Sequence, residues 1–228
     1  MGLEAAGTAR LRACPVCGMA LSEGSPCPNR WCRRSDRCFS VVFCTGVHAG
    51  ALRHAVLRYK YKRELWLSSV FARNIARYLA DHEPWFEEFD LITCVPSYGG
   101  PGARRDWDPV GRILADLGPL VGPGWRVAAG VVTKTAETLP MQGLGSGARR
   151  SLAAGELRDC LAVDEPLLVQ GSRVLVLDDV LTDGCTLSEV ARALRRAGAL
   201  EVAGLVLARL PWVVRSSAAG SSVGGRPV

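Results

Sequence analysis

Residues 174–186 read Val-Leu-Val-Leu-Asp-Asp-Val-Leu-Thr-Asp-Gly-Cys-Thr, and this stretch decides the fold. Five apolar residues, 174–177 with Val180 just beyond, surround the adjacent carboxylates Asp178 and Asp179. A short apolar run bounded by turn chemistry predicts a buried parallel strand. The loop Thr182-Asp183-Gly184-Cys185-Thr186 follows. Thr186-Leu187-Ser188-Glu189 then matches the capping-box pattern, which places a helix over 187–197. Leu187, Val190, Ala191 and Leu194 fall at helical spacing, and Gly198 supplies the stop.

Such a strand–loop–helix unit suits a particular ligand chemistry. A helix N-terminus offers unpaired N–H groups and a partial positive charge to an anion. Gly184 lets the backbone bend close to a phosphate, and the Thr182 and Thr186 hydroxyls add donors. Carboxylates at the C-terminal end of a strand lie where open α/β sheets bind ligands; they accept hydrogen bonds from sugar hydroxyls and attract Mg²⁺. Phosphate loop and acid pair together describe a ribose 5-phosphate site. The plainer alternative is an ordinary strand end with two solvated aspartates before a capped helix.

The run 178–186 resembles the phosphoribosyl-pyrophosphate (PRPP) motif of type I phosphoribosyltransferases. The resemblance implies that Asp178 and Asp179 contact the ribose 2′ and 3′ hydroxyls and are the catalytic acids. It also implies that Thr182, Asp183, Gly184, Cys185 and Thr186 cradle the 5′-phosphate. Asp183 stands where the commoner family loop has a neutral Thr, and its charge opposes a phosphate unless the side chain points away.

Around this unit, 228 residues give room for one ordinary domain and a small module, and 48% apolar content is ample for a core. No run of eighteen apolar residues predicts a membrane span, and residues 1–17 contain no apolar signal segment. A cytoplasmic protein is expected. In that compartment nine cysteines point to metal or thiol chemistry rather than disulfides.

Six of the nine lie between positions 14 and 44. Cys14-Pro15-Val16-Cys17 is a C-x2-C knuckle, and Cys27 and Cys32 form a C-x4-C pair with a turn-rich segment between the two. Four thiolates around a structural Zn²⁺ are the natural reading for a segment too short to bury a core of its own. Cys38 and Cys44 are spare candidates. Residues 1–63 hold eleven Lys/Arg against three Asp/Glu, within a chain of net charge +6. Arg30, Arg33, Arg34 and Arg37 surround Trp31, a pattern that fits either nucleic-acid phosphates with a stacking aromatic or a solvated basic face.

Periodicity predicts helices over 49–57, 65–79 and 109–117, strands over 89–95, 127–133 and 202–207, and a long mobile loop over 134–150. Leu57-Arg58-Tyr59-Lys60-Tyr61 resembles a Leu-Lys-Tyr stretch of the ComF-like subgroup of the family, which also carries an N-terminal cysteine module. By the same resemblance the loop from Pro96 and Ser97 receives pyrophosphate. Arg104 and Arg105 fall in an Arg-Arg-Gly-Phe-Asn-like element, although Asp106, Trp107 and Asp108 replace its last three residues. Residues 134–150 become a lid with Lys134, Arg149 and Arg150 as cations, and 138–142 match a Thr-x-Pro-x-Gln element.

The expected architecture is therefore a parallel α/β sheet flanked by helices, with a zinc-ribbon-like module at the N-terminus. The expected divisions are a basic cysteine module (1–48), a helical linker (49–88), a phosphoribosyltransferase-like core (89–211) and a disordered tail (212–228). Two functions fit: a transferase displacing pyrophosphate at C1′ of Mg²⁺-bound PRPP, and a non-catalytic PRPP or nucleotide binder. In the second, the zinc module contacts single-stranded DNA or a protein partner, consistent with the DNA-uptake association of ComF-like proteins. His48, His54 and His82 lie outside the expected site, and no membrane partner is expected.

Overall fold

The computed structural model describes residues 12–139 and 143–211. The expected tail over 212–228 and the Pro140, Met141 and Gln142 part of the Thr-x-Pro-x-Gln element lie outside the described residues.

The main sheet has five strands, all parallel: β3 (Val42–Cys44), β4 (Leu91–Cys94), β5 (Arg126–Val127), β8 (Arg173–Leu181) and β9 (Glu201–Arg209), in the order β3-β9-β8-β4-β5. β8 sits at the centre because both of its faces are apolar. Val174 and Val176 point to one side and Leu175 and Leu177 to the other, all fully buried. One face is covered by α1 (Gly50–Lys62), α2 (Leu67–Asp81) and α3 (Pro109–Leu117), whose Tyr59, Phe71, Ile75, Ile113 and Leu117 meet Leu175 and Leu177. The opposite face is covered by α5 (Pro166–Val169), α6 (Cys185–Arg196) and the N-terminal cysteine module, through Val169, Leu187, Val190, Met19 and Phe39. Gly204 on β9 lets α6 approach the sheet closely: a Cβ there would lie 2.6 Å from Leu187 Cδ2 and 3.1 Å from Val42 Cγ1. The result is the expected parallel α/β architecture in three layers.

Several boundaries differ from expectation, each for a local reason. The single strand expected over 127–133 is split. Arg126–Val127 edges the main sheet, while β6 (Val132–Lys134) turns away at Gly130, φ +76°, to pair antiparallel with β7 (Leu161–Val163). Val42–Cys44, expected within the cysteine module, is a sheet strand paired with β9. α1 continues past 57 through the basic run to Lys62 and ends on Arg63 at φ 53°. The stretch expected to be one long loop contains α4 (Ser146–Leu152), which continues as a π-helical turn, Ala153–Leu157. α3 has its expected limits; Asp108 caps it by accepting the Val110 N–H, with Pro109 at its first position.

The cysteine module folds as the two-stranded ribbon β1 (Arg12–Ala13) and β2 (Ala20–Leu21), followed by a 3₁₀ turn, Arg30–Arg33. Cys14, Cys17, Cys27 and Cys32 converge, with their sulfurs all within 4.8 Å of one another. Among the described residues no helix is long and apolar enough to cross a membrane.

Candidate active site

The C-terminal ends of β4 and β8 open into a cavity of about 620 Å³. It is lined by Pro96, Ser97 and Tyr98 after β4, Lys60 and Tyr61 from α1, Arg104 and Arg105, Lys134 and Glu137–Leu139 after β6, Leu157, and Thr186 in the first turn of α6. Six of the expected site residues thus surround one space: Pro96, Ser97, Arg104, Arg105, Lys134 and Thr186. Ser97 is oriented by Asp108, whose Oδ1 accepts its hydroxyl at 3.0 Å, so the residue that caps α3 also fixes the loop after β4. Arg105 stacks over the Tyr61 ring at 5.4 Å.

Asp178 and Asp179 lie on β8, which runs on to Leu181, two residues past the strand end expected at the acids. Asp178 Oδ1 accepts the Asp179 N–H at 2.8 Å. Burial, reinforced by the neighbouring Asp179 charge, pushes the Asp178 carboxyl up to about 7. Asp179 is buried and bound by Lys60, whose Nζ lies 2.7 Å from its Oδ2. Burial alone would lower the Lys60 ammonium, but attraction to Asp179, then Asp178, outweighs it and raises the pKa. Lys60 was missed as a site residue by sequence reasoning. The available signal was its position in the Leu-Arg-Tyr-Lys-Tyr run. Tyr59, in the same run, points the other way, into the core, and donates to the Pro109 carbonyl at 2.7 Å.

The 182–186 loop presents two sides. Thr186 lines the cavity, whereas Asp183, Gly184 and Cys185 are buried against the cysteine module. Gly184 has φ +98°, and a Cβ there would meet Phe39 at 3.2 Å, so the position demands glycine twice over. The expected capping box does not form. α6 begins at Cys185, one residue before the expected cap Thr186; its N–H is accepted by Asp183 Oδ1 at 3.1 Å, and no side chain caps Gly184. Glu189 is buried and binds Arg158 and Arg192 instead. Asp183 therefore points neither at an anion nor at solvent: its other oxygen faces Arg149 Nε at 3.2 Å.

The segment after β6 is docked rather than open. Arg104 binds Glu137 Oε1 at 2.7 Å and the Thr138 carbonyl; Lys134 donates to Thr138 Oγ1 at 2.9 Å, and Thr135 N–H to the Cys160 carbonyl at 2.8 Å. Arg150 lies with Arg30 and Arg34 at a separate cavity of about 350 Å³ on the module side of Asp183.

The expected zinc ligands pass a geometric test. Zn–S bonds of about 2.3 Å in a tetrahedron require sulfurs about 3.8 Å apart, and Cys17 Sγ and Cys27 Sγ lie 3.8 Å apart. Hydrogen bonding from Cys32 draws the Cys17 thiol down to about 5, whereas burial pushes Cys27 up to about 12. Four crowded sulfurs cannot all ionise without a cation among them. Cys38 and Cys44 are not in this group; their thiols face the Asp36 and Gly46 carbonyls. Trp31 is buried, packed with Ala153, Leu157 and Cys185, and the Arg34 guanidinium lies over its ring at 5.1 Å. Arg37 is spent on the carbonyls of Trp31, Cys32 and Phe39.

A parallel sheet whose central strand carries adjacent acids and leads through a glycine loop to a helix with Thr186 on a basic cavity has the architecture of the type I phosphoribosyltransferase class, although Asp178 and Asp179 are not among the residues lining that cavity. Comparison with known proteins agrees. The family model described as "Phosphoribosyl transferase domain" matches residues 134–211. The adenine phosphoribosyltransferase of Clavibacter michiganensis subsp. michiganensis is 36% identical over 139 residues, covering 50% of this chain and 78% of that protein. The DNA utilization protein YhgH of Salmonella typhimurium is 24% identical over 196 residues, 85% of this chain and 82% of its own. Competence protein F of Haemophilus influenzae is 24% identical over 209 residues, 88% and 87% respectively. The chain belongs to the type I phosphoribosyltransferase family, in its ComF-like branch with an N-terminal cysteine cluster.

Proposed function

We propose that the protein binds PRPP, or a related ribose 5-phosphate ligand, and displaces pyrophosphate at C1′. The observation that carries this reading is the convergence of Lys60, Arg104, Arg105 and Lys134 on one cavity that Thr186 of α6 also lines, with Asp179 bound to Lys60. The start of α6 would receive the 5′-phosphate, with Thr186 as a hydroxyl donor. Asp178 and Asp179 would accept the ribose hydroxyls. The four cations would bind the pyrophosphate as the C1′–O bond breaks and that oxygen departs with the electron pair, while the acceptor forms its bond to C1′. Asp179 Oδ2 is already held by Lys60 and Asp178 Oδ1 by a backbone N–H, so the acids fit a Mg²⁺ that arrives on the diphosphate rather than one caged by protein. When bound, that ion would neutralise leaving-group charge. The cysteine cluster would hold one structural Zn²⁺, and nine free thiols fit a cytoplasmic setting.

One observation favours a second reading, a non-catalytic binder acting in DNA uptake. The only carboxylate among the described cavity-lining residues, Glu137, is engaged by Arg104 and Lys134, leaving no evident general base. The relatives named for DNA utilization and competence agree with that role, with the basic module as its contact to single-stranded DNA or a protein.

The test is calorimetric titration with Mg-PRPP, followed by pyrophosphate release against a panel of bases and amines. Binding with release is expected. Binding without release establishes the second reading, and absence of binding removes both.

A further inference from the structure

The tip of the 182–186 loop is held from outside the core. Asn29 stands between two of the clustered cysteines, Cys27 and Cys32, and is almost fully buried. Its Nδ2 donates to the Asp183 carbonyl at 3.0 Å, and its Oδ1 accepts the Trp31 N–H at 3.0 Å. Both ends of the amide are therefore used, which fixes its orientation. Phe39 closes over Gly184, Trp31 packs with Cys185, and the Cys38 N–H reaches Ser188 Oγ at 3.4 Å.

The Asp183 carbonyl and the Gly184 N–H belong to one peptide plane, and in a trans peptide they point in opposite directions. There are no cis peptide bonds among the described residues. Pinning that carbonyl towards the module therefore directs the Gly184 N–H away from it. A peptide followed by glycine turns over at little steric cost, because glycine occupies both signs of φ. A flipped plane would present an oxygen, rather than a donor, to an incoming phosphate. Asp183 reinforces the same arrangement by taking the Cys185 N–H.

We infer that Asn29 is a positioning residue for phosphate: from the cysteine module it sets the Asp183–Gly184 peptide so that the Gly184 N–H faces the ligand. The inference rests on the ribose 5-phosphate reading of the cavity and adds to it that the module is part of the binding site's scaffold.

The experiment compares wild type with Asn29→Ala and Asn29→Asp. Asp keeps the acceptor for Trp31 and loses the donor to Asp183. Titration with ribose 5-phosphate, with Mg-PRPP and with phosphate-free ribose is read beside metal content and thermal midpoint. Both variants are expected to retain metal and to bind the two phosphate ligands about tenfold more weakly or worse, the scale of one lost hydrogen bond. Ribose binding should be unchanged. Wild-type-like phosphate affinity in either variant overturns the inference while leaving the cavity reading intact. So does weakening in both variants that accompanies loss of metal, since the effect then belongs to the module as a whole. If wild type binds neither phosphate ligand, the cavity reading itself fails, and the inference with it.

Discussion

Lys60 Nζ lies 2.7 Å from Asp179 Oδ2, an ion pair that joins the last turn of α1 to the central strand beside the cavity. Its side chains are 21% and 8% exposed, so solvent screens it weakly. Lys60→Met would strand a buried carboxylate next to Asp178. We expect a loss of about 3 kcal/mol at pH 7, the scale for removing one member of a buried pair. Urea unfolding of wild type and variant at pH 7 checks this; a loss under about 1 kcal/mol would mean that the pair behaves like an exposed one.

Asp178 should make the protein more stable in mild acid. Its folded pKa, about 7, is raised above the ordinary value of 3.8 by burial and by Asp179. The stability it contributes is thus fully present below pH 3.8 and is lost as pH rises through 7. Asp178→Asn should remove that slope and stabilise the protein at pH 8 by on the order of 2 kcal/mol. Affinity for Mg-PRPP should run the other way, rising from pH 6 to 8 as Asp178 ionises and can accept ribose hydroxyls. A flat binding profile would detach Asp178 from the ligand.

Asp183→Thr, which restores the commoner family residue, is expected to destabilise. The substitution removes the partner of Arg149, whose side chain is only 17% exposed. A loss of about 2 kcal/mol is expected. Denaturant melts of Asp183→Thr and of Asp183→Thr with Arg149→Met should show the second change recovering part of the first. Tighter phosphate binding by the single variant would mean that Asp183 reaches the ligand.

Purified protein should carry one zinc per chain by elemental analysis. Cys14→Ser should lose it and lower the thermal midpoint, by about 2–4 °C per kcal/mol lost in a domain of this size. Full metal retention would remove Cys14 from the ligand set, whereas Cys38→Ser should leave metal content unchanged.

The basic module separates into structural and available arginines. Arg37 is bound to backbone carbonyls, while Arg30 and Arg33 are exposed. If single-stranded DNA binds here, replacing Arg30 and Arg33 by Ala should flatten the salt dependence without changing stability. The slope should fall by about 0.7 for each phosphate that the variant no longer neutralises. Arg37→Ala should instead lower the melting temperature. Identical salt slopes for wild type and the double variant would leave the patch a solvated face.

The central strand, α3 and the four-cysteine cluster were readable because each is a local pattern. The continuous apolar run of β8, Asp108-Pro109 before an apolar helix and two close cysteine pairs all express their physics within a few residues. The cap of α6 was misread because Thr186 and Glu189 have the right spacing but the wrong environment. The buried Glu189 pairs with the half-buried Arg158 and Arg192, and Asp183 takes the Cys185 N–H. Trp31 looked like a stacking platform because a sequence does not show that Cys185 and Leu157 lie against it. Lys60 was missed since its partner is over a hundred residues away, and β3 because three residues of an edge strand carry too little periodicity to register.

The position of β3 has a further consequence, for the order in which the chain can assemble. Among the described strands its only neighbour is β9, so Val42–Cys44 meets Gly204–Val206 about 160 residues later. On the ribosome the first strand of the main sheet therefore waits, unpaired, for the last described one. Until β9 emerges, Val42–Cys44 has no strand to pair with, even if the cysteines before it have already taken up metal. Docking of the N-terminal module should accordingly be a late event, and refolding followed by Trp31 fluorescence should show its burial in the slowest phase.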